Sequence, residues 1–402
     1  MSNHLVIAGA CVRQHIESAR RAGFEPLGID LYADWDTCQV APCLQAQCLD
    51  EIPEILDKHV REHWVLTGGL EHTFTRMGSD PLPDGFLGPD LKALHLTSNP
   101  HTINHLASAV RFDFPLTNSQ AVCPAGDWIQ KPKQSAGGLR IQRAQPGEPR
   151  RDGHYFQRWT PGTPLSGVFL SGALGTRLIG TTFQLLGQDL GQTKSPFAYA
   201  GSIGPVLLDP DLRNQIIEIG ETIGTAFFMK GVWGVDFVFS NGTLHPLDIN
   251  PRMTASCDIL ERSGQVSSIT SLHANACHSF TDGCRTNPEL KPPPAVTIAK
   301  AIAFSTSDRP LEITLDRHRQ LLNLRGSKSP NPIADIPKPG TLIPPRGPIC
   351  TLYETNASPS FRFGNDSQSG NPGLPLNAKK MLSRLKKRVS NLNIQMVRDD
   401  DE

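Results

Sequence analysis

The stretch from Gly234 to Arg252 limits the fold of this chain more than any other. Up to Ser240 it is apolar apart from Asp236, and from Thr243 it runs on to Asp248-Ile249-Asn250-Pro251-Arg252. Between the halves stands Asn241-Gly242, a pair suited to the positive φ values of a tight turn. An antiparallel hairpin follows, and Asp248, Asn250 and Arg252, two apart, project from one face of its second strand. Whether Asp236 joins them depends on the turn. A two-residue turn pairs Ser240 with Thr243, which sets Asp236 opposite Leu247 and the two Asp on opposite faces. A three-residue loop, Ser240 to Gly242 with Gly242 as a left-handed bulge, pairs Phe239 with Thr243 and brings Asp236 onto the face of Asp248. We expect the three-residue loop. Two carboxylates, an amide oxygen and a guanidinium on one surface suit Mg²⁺, which takes one or two carboxylates together with phosphate oxygens. The competing reading is a hairpin of solvated acids with Arg252 paired to Asp248.

Ahead of this hairpin the pattern is β-α-β: apolar His4 to Gly9, helical Gln14 to Ala22, apolar Glu25 to Ile29. A further helix over Asp50 to His63 and a strand over Trp64 to Thr67 close on the loop Gly68 to His72, so a parallel sheet with packed helices is expected over residues 1–98. The turn after the first strand lacks Gly-x-Gly-x-x-Gly, which argues against a dinucleotide site. A helix starting at Pro100 opens a second unit, residues 99–285. It divides into a first part to residue 155 and a second, from 156, that holds the hairpin and a helix over Pro210 to Phe227. Of 34 Pro, 15 fall between Pro288 and Pro375; with apolar runs at Ala295 to Phe304 and Ile349 to Tyr353, residues 286–360 read as a small C-terminal β module. Residues 361–402 read as a linker and a basic amphipathic helix whose Leu382, Leu385, Val389 and Leu392 dock on the body. The fold class is α/β, with α+β character in the central part.

The charge balance, 39 basic against 39 acidic residues, gives no electrostatic case for a nucleic-acid partner. No apolar run reaches the length of a membrane helix, and the N-terminus reads as a first strand, so a cytoplasmic protein without a membrane partner is expected. Nine scattered Cys without Cys-x-x-Cys point to reduced thiols. Neither Cys38, Cys43 and Cys48 nor His273, Cys277, His278 and Cys284 has zinc-site spacing; no structural metal is expected at the first set, and a structural or surface role is expected for the second.

Two more motifs precede the hairpin. In the first, Lys131 ends an apolar strand from Trp128 and is followed by Lys133 and the small-residue loop Ser135, Ala136, Gly137, Gly138, which either cradles phosphates with backbone N–H groups or is a plain turn. The second, Tyr155 to Trp159 before Pro161-Gly162, is either a core strand or a segment offering backbone groups to an adenine edge.

Together and in this order, these stretches resemble the ATP-grasp superfamily from about Asn99 to His278, and within it the predicted ATP-dependent carboligases related to biotin carboxylase. The specific signature is an acid, eleven residues, then acid-x-Asn-x-Arg. The resemblance implies a two-subdomain ATP-grasp fold in the centre. It makes Lys131, with Lys133, a phosphate ligand beneath Ser135 to Gly138, and sets adenine against Gln157, Arg158 and Trp159. Asp236, Asp248 and Asn250 become ligands of Mg²⁺ or Mn²⁺, and Arg252 holds the transferring phosphoryl group. Apart from the resemblance, the segment Lys194 to Ser202, with Lys194 as a catalytic candidate, either lines the substrate side or is an ordered surface loop. The activity implied is a carboxylate–amine ligase that consumes ATP through an acyl-phosphate, with small-molecule acid and amine substrates. The resemblance hints at methanopterin- or methanofuran-type cofactor biosynthesis, and a homodimer is compatible with it. The alternatives are a carboxylase using bicarbonate and an ATP-binding module without turnover. Three departures stand out: Arg140 where the loop commonly continues to another Gly, no Lys in the helix of Asn99 to Val110, where only His101, His105 and Arg111 stand in, and no acid after Gly162.

Overall fold

A computed structural model describes residues 3–77, 82–110, 112–134, 136–191, 196–282, 296–326, 330–357, 361–364 and 373–398. In the N-terminal part, β1 (His4–Ala8), α1 (Arg13–Arg21), β2 (Glu25–Asp30), α2 (Trp35–Val40), β3 (Cys43–Gln45), α3 (Ile52–His59) and β4 (Trp64–Leu66) form a parallel sheet of order β3-β2-β1-β4. Helices α4 (Leu70–Met77) and α5 (Leu91–Thr97) complete it. Leu5, Ile7, Val65 and Leu66 are fully buried or nearly so, as expected of strands covered on both sides. The strand order reverses direction between β1 and β4, and there the loops after both strands meet: the Ala10 N–H donates to the Gly68 carbonyl at 2.9 Å.

Next come α6 (Pro100–Val110) and a four-stranded sheet, order β5-β8-β6-β7, of β5 (Thr117–Asn118), β6 (Trp128–Pro132), β7 (Gln142–Ala144) and β8 (His154–Arg158). The largest sheet draws on β9 (Thr163–Gly172), β10 (Gly175–Leu186), β11 (Tyr199–Gly204), β13 (Gly231–Ser240) and β14 (Thr243–Asn250), with α7 (Gly187–Leu190), β12 (Val206–Leu208) and α8 (Pro210–Ala226) between them. After α9 (Ser256–Arg262) and α10 (Ile269–Asp282), the C-terminal strands β15 (Thr297–Phe304), β17 (Ile333–Ala334) and β19 (Pro348–Asn356) extend the same sheet to the order β14-β13-β9-β10-β11-β15-β19-β17. Beside it lie two small pairs, β16 (Leu311–Glu312) with β18 (Leu342–Ile343) and β12 with β20 (Phe361–Phe363), and the helices α11 (Leu315–Arg325) and α12 (Leu376–Arg398).

Strand pairing gives this sheet two unlike faces. Phe237 lies opposite Leu165, Leu165 opposite Phe183, Phe183 opposite Ile203 and Ile203 opposite Ala299, and all belong to the main core beneath α8 and α12. On the other face Asp248 faces Asp236, Asp236 faces Ser166 and Ser166 faces Thr182. Two residues on from Thr182, Gln184 continues the row to Ser202, Lys300 and Tyr353. One face buries the core, and the other carries a polar row across six strands or more. The basic helix α12 docks on the apolar side through Ala378, Met381, Leu385, Val389 and Leu392, and its Lys379, Lys380, Arg384, Lys386 and Lys387 face solvent.

Helix α1 docks against α9 and α10. The Ser18 hydroxyl bonds to Glu261 at 2.5 Å and receives the Thr270 N–H at 3.0 Å. Beside it His15 is buried, and burial pushes its pKa down to about 3. His273 is also lowered by burial; it accepts the Val232 N–H on Nδ1 at 2.9 Å and its Nε2 meets the Leu87 carbonyl at 2.8 Å, a structural role. Below pH 6.5 the unfolded chain protonates His15 while the folded chain does not, so stability falls with pH down to about 3. At roughly 1.4 kcal/mol per pH unit, wild type should lose about 2 kcal/mol from this group between pH 6.5 and pH 5. In urea unfolding the wild type minus His15→Gln difference should carry that slope. A pH-independent difference refutes it.

Candidate active site

The hairpin of β13 and β14 turns through Asn241 (φ 49°) and Gly242 (φ 81°), with Ser240 opposite Thr243. This is the two-residue turn, so the expectation of a three-residue loop is corrected. The two Asp share a face all the same. The ladder runs evenly to Phe237 opposite Pro246, then slips, and Asp236 lies opposite Asp248 with Leu247 as the extra residue. Pro246 has no N–H to give to the ladder and β14 is an edge strand, where such a bulge is tolerated. The register shift expected at the turn takes place at the bulge. The displaced Leu247 carbonyl accepts the Lys131 ammonium at 3.3 Å, and so ties the four-stranded sheet to the hairpin.

The acids differ in their surroundings. Asp236 accepts from Gln184 Nε2 at 2.6 Å and Asn250 Nδ2 at 3.3 Å, and burial together with the charge of Asp248 raises its pKa to about 6. Asp248 is half-buried and makes no hydrogen bond among the described residues. Lys131 stays charged: burial lowers its pKa, but Tyr155, Asp248 and Asp236 together lift it above its ordinary value. Arg252 does not pair with Asp248. Its Nε donates to Glu71 Oε1 at 2.7 Å, Nη2 to Asn250 Oδ1 at 3.0 Å and Nη1 to the Met253 carbonyl at 3.3 Å. Of five N–H donors, one on each terminal nitrogen remains for a ligand oxygen.

The other expected site residues divide. Gln157 is on the face of Lys131, since Lys131 pairs with Tyr155 and Ile129 with Gln157, and its buried Nε2 has no partner among the described residues. The Arg158 side chain takes the opposite face, 5.7 Å from the Trp128 ring. The N–H groups of Arg158 and Trp159 are spent on the Leu116 and Asp127 carbonyls. The Trp159 ring packs between the Arg143 guanidinium, at 3.7 Å, and Phe197, at 5.4 Å. Lys133 is exposed. The loop after it closes on the second sheet: the Tyr199 N–H donates to the Gly137 carbonyl at 2.8 Å, and Gly138 (φ 68°) abuts Phe197, whose carbonyl would stand 2.1 Å from any Cβ added there. Ser135, Lys194 and Arg111 lie outside the described residues. His101 bonds to the Ser119 hydroxyl at 2.8 Å, and no Lys lies in α6.

Sequence reasoning missed Glu71, Gln184 and a buried ionic cluster. Glu71 lies in the first turn of α4, just after β4 and at the point where strand order reverses, which is where α/β sheets present ligand crevices. In the cluster, Asp258 accepts Arg13 Nη2 at 3.2 Å, Arg262 Nε at 2.9 Å, Lys300 Nζ at 3.4 Å and the Tyr353 hydroxyl at 2.5 Å. Arg13 also donates to Asp335 at 2.6 Å. Burial alone would raise the Asp258 carboxyl, but Arg262, Arg13 and Lys300 hold it well below the usual range. These residues join α1, α9 and the C-terminal strands.

The clamp of a Lys-bearing sheet against an acidic hairpin, behind a parallel-sheet domain, is the ATP-grasp fold. Residues 99–256 match the family model of the ATP-grasp domain. Among solved structures, the chain is similar to a carboxyaminoimidazole ribonucleotide synthase from Aspergillus clavatus complexed with ATP. The TM-score is 0.66 and the identity 12%, over 97% of this chain and 98% of that one. It is also similar to the biotin carboxylase domain of the 2-oxoglutarate carboxylase of Hydrogenobacter thermophilus, in complex with MgADP, ADP and bicarbonate, with TM-score 0.64 and 12% identity over 88% and 86% of the chains. A third is an L-amino acid ligase from Bacillus licheniformis, with TM-score 0.61 and 13% identity over 96% and 97%. At these identities the likeness is one of fold. No curated protein sequence matches the chain. No helix among the described residues is long and apolar enough to cross a membrane.

Proposed function

We propose that this protein is an ATP-dependent carboxylate–amine ligase. The observation that carries the reading is the hairpin face that groups Asp236, Asp248, Asn250 and Arg252, with Lys131 bonded to the Leu247 carbonyl of the same hairpin and the loop of Ala136 to Gly138 closed on β11. Two carboxylates and an amide oxygen fit Mg²⁺ or Mn²⁺, and among the described residues no three His, Cys, Asp or Glu side chains form a closed metal site, so the rest of the shell falls to phosphate and water. The ion, when bound, neutralises phosphate charge. Lys131 binds phosphate oxygens under the loop of Ser135 to Gly138, and Gln157 and the backbone to Trp159 border the adenine. A substrate carboxylate attacks the γ-phosphorus, ADP leaves, and the free fork of Arg252 holds the acyl-phosphate. An amine then displaces phosphate to give an amide. Amide formation in methanopterin- or methanofuran-type cofactor assembly is one setting for such a step.

A second reading follows from the neighbours, several of which are described as carboxylases or carboxyaminoimidazole ribonucleotide synthases. Carboxyphosphate is the acyl-phosphate of carbonic acid, so this reading shares the first step and differs in the acid. Incubation with Mg²⁺, ATP and pools of carboxylates and amines separates the readings. ADP release that needs both an acid and an amine is the expected result; dependence on bicarbonate supports carboxylation. Nucleotide binding without ADP release from any pool would leave a binding module, as the missing α6 lysine would suggest.

A further inference from the structure

Glu71 is 3% exposed, and only one of its carboxylate oxygens is used. Oε1 takes the Arg252 Nε–H at 2.7 Å, and Oε2 is buried without a partner among the described residues. Next to it, His72 Nδ1 is likewise buried and unpartnered, with Nε2 4.0 Å from Glu71 Oε1. Burying a carboxylate oxygen this deep is unfavourable unless something binds it. The place is defined by topology: the first turn of α4, at the carboxyl end of β4, where the sheet order reverses. Gly68 leaves the Arg252 guanidinium open to this crevice, 3.6 Å from where a side chain on Gly68 would begin. The carboxylate that holds Arg252 thus has one unpartnered oxygen among the described residues.

We propose that Glu71 Oε2 is the base that accepts the proton of the incoming amine, while Oε1 orients Arg252. The assignment rests on the ligase reading. An alkylammonium has no lone pair at neutral pH and must lose a proton before it can attack. Glu71 takes that proton; the amine nitrogen forms a bond to the acyl carbon; the carbon–oxygen bond to phosphate breaks, and phosphate leaves with the electron pair and the second nitrogen proton as HPO₄²⁻. The proton on Glu71 passes to solvent, so acyl-phosphate and ammonium give amide, HPO₄²⁻ and H⁺.

Hydroxylamine is largely unprotonated at pH 7.5, so it traps an acyl-phosphate as hydroxamate without a base. Glu71→Gln keeps an oxygen for the Arg252 Nε–H and removes the proton acceptor. With hydroxylamine and the carboxylate pool, this variant should form iron-coloured hydroxamate within about 3-fold of wild type, while amide formation from alkylamines falls about 100-fold or more, within the range for loss of a general base. That loss should shrink as pH rises toward the amine pKa. Glu71→Ala, which also frees Arg252, should lose both reactions. Equal loss of both reactions in Glu71→Gln, at an unchanged melting temperature, would show that Glu71 only positions Arg252 and overturn the proposal. Failure of wild type to form any hydroxamate would overturn the ligase reading itself and the base with it.

Discussion

Asp248→Asn should all but abolish Mg²⁺-dependent ADP formation, lowering kcat about 10²- to 10³-fold, with no loss of folding stability. Two features of the hairpin separate the effects. The Asp248 carboxylate makes no hydrogen bond among the described residues, so its replacement by an isosteric amide leaves no donor unsatisfied. It also stands opposite Asp236, whose pKa burial and the Asp248 charge together raise to about 6. Removing one of two facing carboxylates relieves that repulsion and favours the folded state. Catalysis feels the opposite effect. In a site with two acids for a hard cation, the loss of one removes half the protein's charge on the metal, and groups that stabilise transferring phosphoryl charge are typically worth about 3–4 kcal/mol each. Steady-state ADP release across a Mg²⁺ titration, with thermal melts of both proteins, checks the pair of effects. Turnover near that of wild type at millimolar Mg²⁺ would sink the metal assignment.

This site was legible in the sequence to the extent that it depends on short-range periodicity. Asp248, Asn250 and Arg252 could be read as one face because a strand has period two, and Lys131 because it ends an apolar strand. The common face of the two Asp was also expected, but for the wrong local reason: Asn241-Gly242 closes as a tight two-residue turn, and the slip occurs where Pro246 interrupts the ladder. Turn chemistry is local, whereas a bulge depends on which strand is at the edge of the sheet, and that is decided by distant pairings. Glu71 bonds to Arg252 from 181 residues away and Arg13 to Asp258 from 245, contacts that no spacing along the chain announces. The paired β15 and β19 were visible as alternating apolar runs. Their union with β11 in one sheet was not, because strand order does not follow from composition.

The second large effect concerns that long-range cluster. Asp258→Ala should destabilise the protein by about 3–5 kcal/mol, the usual range when one partner of a buried ion group is removed. Asp258, 3% exposed, accepts from Arg13, Arg262, Lys300 and Tyr353. Without it three cations remain together in a space that admits little water. Asp335 and Glu17 can still hold Arg13, at 2.6 Å and 3.1 Å, so the loss should concentrate on Lys300 and Arg262. Lys300 keeps the Ala255 carbonyl at 2.8 Å, and Arg262 keeps its stack on the Tyr353 ring at 3.8 Å. Since α1, α9 and β15 meet through this carboxylate, the variant should also unfold less cooperatively in urea, with the contacts of α1 released before the eight-stranded sheet opens. Double substitution of Asp258→Ala with Lys300→Met should recover part of the loss, because it removes one stranded charge as well as its partner. A single-mutant loss below about 1 kcal/mol would mean that water reaches the cluster, and that the docking of the N-terminal domain rests on the apolar contacts of Ile16, Ala19 and Met253 instead.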